Sequence, residues 1–428
     1  MALLSLAQTL PPELLTQIFG WLIEGSQKRN AMDRSVGGLV KFPISSCSDD
    51  IRTVALVCRK WRSPAQRALL PFIDFSCSDL DKLAAVVTHK PNLAAEVHAV
   101  CAGLVSESGT DNFPRSQSRQ YKSEGETACR ILAACGNIKH VVLRGVLREV
   151  HKRVLGILDS LELESLALGQ DRWAWNETWR ALLWYPSPNE ILVLAQKPSL
   201  RVLDLSLWID LGRHGATLPP RPTEPTSFVT ALSLATHDAT LALRILHEVS
   251  STLVVLVIFP QRPFGDDRAT SVLTTLRKFE RLVLKNASAY LASYKWLAPA
   301  LPHLPVLRHL ACDPMTGVVA LQSPLPALTH LACTFLPLQH PHVPLRAMVR
   351  AAGMQTSRLQ YKSVSLDIPF EGWDQDASEL LQELTKLLKI RGVELEIPSR
   401  FVEEERNARR YLWFSWCAPH LLSGSDWY

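Results

Sequence analysis

The sequence lacks the features that announce an enzyme. It has no G-x-S-x-G, no G-x-G-x-x-G and no phosphate-cradling loop among its 19 glycines, so acyl transfer, dinucleotide binding and nucleotide hydrolysis lose their usual scaffolds. "LHEVS", containing His247, lacks the second histidine of a zinc-protease helix. "HPH" pairs His340 with His342 but has no nearby third ligand, and Pro341 makes it a turn. The nine cysteines include no C-x-x-C, and Cys58, Cys312 and Cys333 lie inside apolar segments, as free thiols of a reducing compartment do. No run is long enough to span a bilayer; the longest is "LVVLVIF" from Leu253. A basic stretch followed by a continuous apolar run is missing from the first twenty residues, so no secretory signal is expected, and the sequons at Asn176 and Asn286 are chance matches. Charge is sparse, at 20% against the usual quarter, and the net +5 is scattered rather than striped. The expectation is a cytoplasmic or nuclear protein with no catalytic residue, cofactor, metal, nucleic-acid partner or membrane partner.

What is present is apolar. At 428 residues and 47% hydrophobic, the chain can bury a sizeable core and exceeds one ordinary domain. Near the start, "LAQTLPPELLTQIFGWL" places Pro11 and Pro12 in a first helical turn, with Glu13 favourable to the helix dipole. Leu14, Ile18 and Leu22 follow at four-residue steps with Leu15 and Phe19 alongside, which is helical spacing. "IRTVALVCRKWRSPAQRALL" repeats the theme: Ile51, Val54, Cys58 and Trp61 step by three and four, and Pro64 interrupts the helix. About seventy residues cannot readily bury so many large apolar groups alone. An apolar face left over on a small helical module marks a partner site.

The order L-P-x-E-L-L-x-x-I-F, then L-V-C-R-x-W, resembles an F-box in the form common among fungal F-box proteins, over Leu6 to Phe72. The resemblance implies docking to a Skp-type adaptor and, through it, to a cullin and a ubiquitin ligase. Carried over by position, Leu10, Pro11, Leu14, Leu15, Ile18, Phe19 and Leu22 supply the first contact strip. Val54, Leu56, Val57 and Trp61 supply the second. The connection from Glu24 to Asp50 is longer than the family's.

Beyond Phe72 the pattern apolar-x-x-apolar-x-apolar recurs. It starts at Ile138, Leu163, Leu200, Val229, Leu253, Phe279, Leu307, Leu328, Tyr361 and Ile390. Most intervals suit the 20–29 residues of a leucine-rich repeat. "LPVLRHLACD" and "LPALTHLACT" agree at seven of ten positions, which is repetition. Helical stretches lie between: "ETACRILAACGN" with Gly136 as C-cap, "TLALRILHEV", "SVLTTLRKF", "LASYKWLAPAL" and "ASELLQELTKLLKI". The standard repeat's asparagine is mostly missing, so an irregular arc is expected. One such unit cannot bury its apolar face alone, so stacking yields an extended surface suited to gripping a macromolecule.

The resulting expectation is an α/β chain: an F-box-like module over 1–75, a helical connection and flexible polar linker over 76–127, a degenerate leucine-rich-repeat-like solenoid over 128–398 and a C-terminal cap over 399–428. Trp175 and Trp179 share a helical stripe with Leu182 and Leu183, whereas Trp173 lies off it and is the candidate substrate contact. The proline-rich inserts 211–227 and 259–270 serve as contact loops or as solvated linkers. The arrangement resembles the substrate receptors of cullin ligases, which implies an unknown protein substrate. The alternative is a repeat scaffold working outside any ligase, its first helices serving as an N-terminal cap.

Overall fold

The structure is a computed structural model that describes residues 10–11, 13–15, 17–19, 61, 71–75, 79–103, 118–169, 183–184, 186–207, 227–234, 239–258, 271–284, 300–323, 325, 327–335, 341–354, 361–367 and 375–397. They fall in two compact units that divide between Tyr185 and Pro186. Both are α/β and solenoid-like, with short parallel strands alternating with helices.

In the first unit, strands β1 (Phe72–Asp74), β2 (Ala99–Gly103), β3 (His140–Arg144) and β4 (Ser165–Gly169) lie side by side in chain order, all parallel. Helices α1 (Leu80–His89), α2 (Ser118–Ala134) and α3 (His151–Ser160) occupy the crossovers, because parallel neighbours need a connection too long for a hairpin. The second unit continues the plan. It holds β5 (Val202–Leu207), β6 (Ala231–Leu234), β7 (Val255–Ile258), β8 (Arg281–Leu284), β9 (His309–Cys312), β10 (His330–Thr334), β11 (Ser363–Asp367) and β12 (Glu394–Glu396). Its helices are α4 (Pro188–Ala195), α5 (Ala239–Glu248), α6 (Pro314–Gln322), α7 (His342–Met354) and α8 (Gln375–Ile390).

Register follows from the leucines. Leu203, Leu232, Leu256, Leu282, Leu310, Leu331 and Val364 are paired in one row across β5 to β11, and every one is sealed from solvent. Two residues on, Leu205, Leu234, Ile258, Leu284, Cys312, Cys333 and Leu366 form a second buried row. Since side chains alternate across a strand, both rows face the same side. Each strand is also started by its predecessor. The Glu280 carbonyl accepts the Arg308 and His309 N–H groups at 2.8 and 3.0 Å, and the Arg308 carbonyl accepts those of Thr329 and His330 at 2.9 and 3.0 Å. Pro71, His98 and Lys139 do the same in the first unit.

Local chemistry sets the helix ends. Asp313 follows β9 directly and caps α6, its Oδ1 accepting from Met315 and Thr316 N–H at 2.9 and 3.1 Å. Ser187 and Glu190 close a reciprocal capping box on α4. At the end of α8, Gly392 has φ 75°, the left-handed conformation that glycine adopts cheaply. There the Val393 N–H bonds Leu388 O and the Gly392 N–H bonds Lys389 O, both at 3.0 Å. Val393 and Leu388 are buried beside this turn.

Three differences from the sequence expectation stand out. The parallel ladder begins at β1 rather than at residue 128, because Ile73 and Val100 hold the same register positions as Val141. The stretch 76–127 therefore carries a strand and three helical segments among its described residues, and 118–127, read as polar linker, is the first part of α2. The repeat match at Ile390 is offset by two residues: Leu395 pairs with Val364, and Ile390 is 81% exposed at the end of α8. Gly136 follows α2 but does not take the left-handed conformation, which among described glycines belongs to Gly145 and Gly392. The expected helices "TLALRILHEV" and "ASELLQELTKLLKI" match α5 and α8. Residues 291–299 of "LASYKWLAPAL", the inserts 211–226 and 259–270, Trp173, Trp175 and Trp179, and the cap at 399–428 lie outside the described residues.

Candidate functional site

The N-terminal strip is the first candidate. Residues 13–15 and 17–19 are helical, and the Leu15 N–H bonds Pro11 O at 3.1 Å, so Pro11, lacking a donor itself, supplies the first helical acceptor. The helix has two characters. Leu15 and Phe19 are buried at 1% and 0% exposure, whereas Leu14 is 45% exposed. Ile18 and Leu10 are half-buried and Pro11 is exposed. Trp61, helical and half-buried, meets Phe19 edge to face with ring centroids 5.8 Å apart, a favoured aromatic geometry. The structure thus joins the two sequence segments through Phe19 and Trp61. Leu22, Val54, Leu56 and Val57 lie outside the described residues.

The second candidate is the face of the strands opposite the leucine rows. In the first unit it carries His140 and Ser165, Nδ1 to Oγ 2.9 Å. Burial pushes the His140 imidazole down to about 4, against a smaller opposing pull from Glu164, so it is neutral at physiological pH. In the second unit the same position holds Arg281, His309 and His330 on β8, β9 and β10. The two imidazoles stack with centroids 4.5 Å apart and planes 7° from parallel. Thr329 Oγ1 lies 2.7 Å from His330 Nδ1. The His330 imidazole is held below its ordinary value by burial first, then by Lys362 and Arg281.

Sequence reasoning passed over this polar row, although "RHLAC" and "THLAC" place a histidine immediately before the first buried leucine of each copy. The signal was the repeated position itself. The buried cysteines are the opposite case. Cys312 and Cys333 are paired neighbours on the leucine side, and burial raises the Cys312 thiol far above the usual range. Such thiols are poor nucleophiles; their role is packing. No group of three metal-ligating side chains occurs among the described residues, and no described helix is long and apolar enough to cross a membrane.

Comparison of the chain with protein-family models and with curated proteins finds no match.

Proposed function

We infer that this chain is a non-catalytic substrate receptor of a Skp/cullin/F-box-type ubiquitin ligase. In this reading an F-box-like N-terminal module docks the Skp-type adaptor. A leucine-rich-repeat-like ladder then holds a protein substrate for ubiquitin transfer in the cytoplasm or nucleus. One observation carries it. The L-P-x-E-L-L-x-x-I-F and V-C-R-x-W segments have family spacing, and their Phe19 and Trp61 rings touch while Leu14 faces outward. A large aliphatic side chain costs free energy in water, and an adaptor surface would cover it. In a pull-down, the wild-type chain captures the Skp-type adaptor, and a Leu14→Asp, Ile18→Asp variant does not. A wild-type chain that captures none ends the ligase reading.

A second reading, a repeat scaffold acting outside any ligase, is favoured by the complete burial of Leu15 and Phe19 within this chain. There the first helix is a cap. That reading predicts that removing residues 1–70 unfolds the first unit, whereas the receptor reading predicts that β1 to β4 survive it.

A further inference from the structure

The strand positions just before the first leucine row divide the second unit in two. On β5 to β7 they are the aliphatic Val202, Ala231 and Val255, and on β8 to β11 they become Arg281, His309, His330 and Ser363. One residue earlier, on the leading edge of the strands, Arg308 and Lys362 are exposed, and Glu280 and Thr329 are half-buried. His309 and His330 keep partial exposure. Among the described residues here the cations Arg281, Arg308 and Lys362 outnumber the carboxylate Glu280, until Glu394 and Glu396 on β12 reverse the sign.

Two stacked imidazoles invite a metal, but the charges decide against it. Lys362 and Arg281 already oppose a positive charge on His330, and a divalent ion there would meet the same repulsion. An anion meets attraction. Carboxylates take charge-assisted hydrogen bonds from guanidinium, ammonium and imidazolium donors, and the acidic β12 sets the far limit of the patch. From β9 to β11 are two strand spacings, about 10 Å at ~4.8 Å each, the reach of about three extended residues.

The geometry points to a docking stripe, formed by Arg308, His309, His330 and Lys362 beside the buried Arg281, for an acidic extended segment of a protein partner. Naming that partner a ubiquitylation substrate rests on the receptor reading; the stripe itself would serve a scaffold equally. Binding is coupled to protons. Bound carboxylates favour the charged imidazole, so affinity rises as pH falls from 8 to 6, against the opposing Lys362 and Arg281.

The test is fluorescence anisotropy with the full-length chain and a labelled peptide of four consecutive acidic residues flanked by glycine and serine. The expected result is saturable binding, at least tenfold weaker for the same peptide written with asparagine and glutamine. An Arg308→Glu, Lys362→Glu variant, altered only at exposed positions and checked for an unchanged circular dichroism spectrum, loses at least tenfold in affinity. His330→Asn flattens the pH dependence. The stripe is refuted by no saturable binding, by equal affinity for the amide peptide, or by indifference to the charge reversal. It is also refuted if a single-stranded homopolymeric nucleic acid displaces the peptide at a lower charge concentration than unlabelled peptide does. Adaptor capture on the same preparations separates the two proposals. A wild-type chain that binds peptide but no adaptor ends the receptor reading alone; one that binds adaptor but no peptide ends the stripe alone.

Discussion

Protonating His140 should destabilise the first unit, and the size of the effect follows from where that side chain sits. It is 9% exposed on β3 beside Ser165, itself 2% exposed, and its imidazole titrates near 4 instead of 6.5. Between those values the unfolded chain binds a proton that the folded chain refuses, so stability falls as pH drops through this window and levels off below it. Each tenfold change in acidity across the window costs about 1.4 kcal/mol. From pH 7.5 to 4.5 the loss is about 2.5 kcal/mol, the two titrations overlapping slightly at the ends. His140→Asn removes the titration while keeping a polar group close to the Nδ1 position. Urea unfolding of both chains, read with a probe in the first unit, should show the wild type losing about 2.5 kcal/mol relative to the variant over that range. Histidine NMR should place the His140 resonance midpoint near 4. A pH-independent difference between the two chains, or a midpoint near 6.5, would refute the burial argument.

Two further changes test the packing. A side chain at Gly317 on α6 would overlap Cys333 Sγ on β10, so Gly317→Ala should lower stability by about 1–3 kcal/mol; combining it with Cys333→Ala should recover part of the loss in a double-mutant cycle by thermal denaturation. Asp313→Ala removes the cap on α6 and should cost about 1 kcal/mol, while Asp313→Asn, which keeps an acceptor, should cost less in the same assay.

How far the sequence disclosed this molecule varied with the kind of signal. Nine of the ten repeat matches fall in register because a buried parallel strand has little freedom: the first leucine row must face the helices, and its period shows directly in the residues. The tenth failed where Leu388, Val393 and Leu395 offered a competing set of apolar positions, and only the Gly392 turn decides among them. Two earlier units were passed over. Val97, Val100 and Ala102 end on a small residue, and β1 lay inside a segment already assigned to another module. Helices such as α6 were hidden for a different reason. With Pro314, Thr316, Gly317, Val318, Ala320 and Leu321 all buried, α6 has no polar face and so no amphipathic period to read. The resemblance placed Phe19 and Trp61 in two separate contact strips; their meeting edge to face, and the division of the first helix into an outward Leu14 and inward Leu15 and Phe19, depend on tertiary packing. The polar row across β8 to β11 is tertiary in the same sense. Its members are 21 to 33 residues apart in sequence and become neighbours through the strand register.

The central claim is that the outward side of the first helix is completed by an adaptor. Isothermal titration of the full-length chain with a purified Skp-type adaptor tests it most directly. The account predicts a saturable one-to-one complex whose affinity drops at least tenfold on Leu14→Asp, with the circular dichroism spectrum unchanged because that side chain is already 45% exposed. An affinity that Leu14→Asp leaves untouched, or no heat of binding from the wild-type chain at any temperature tried, would contradict it.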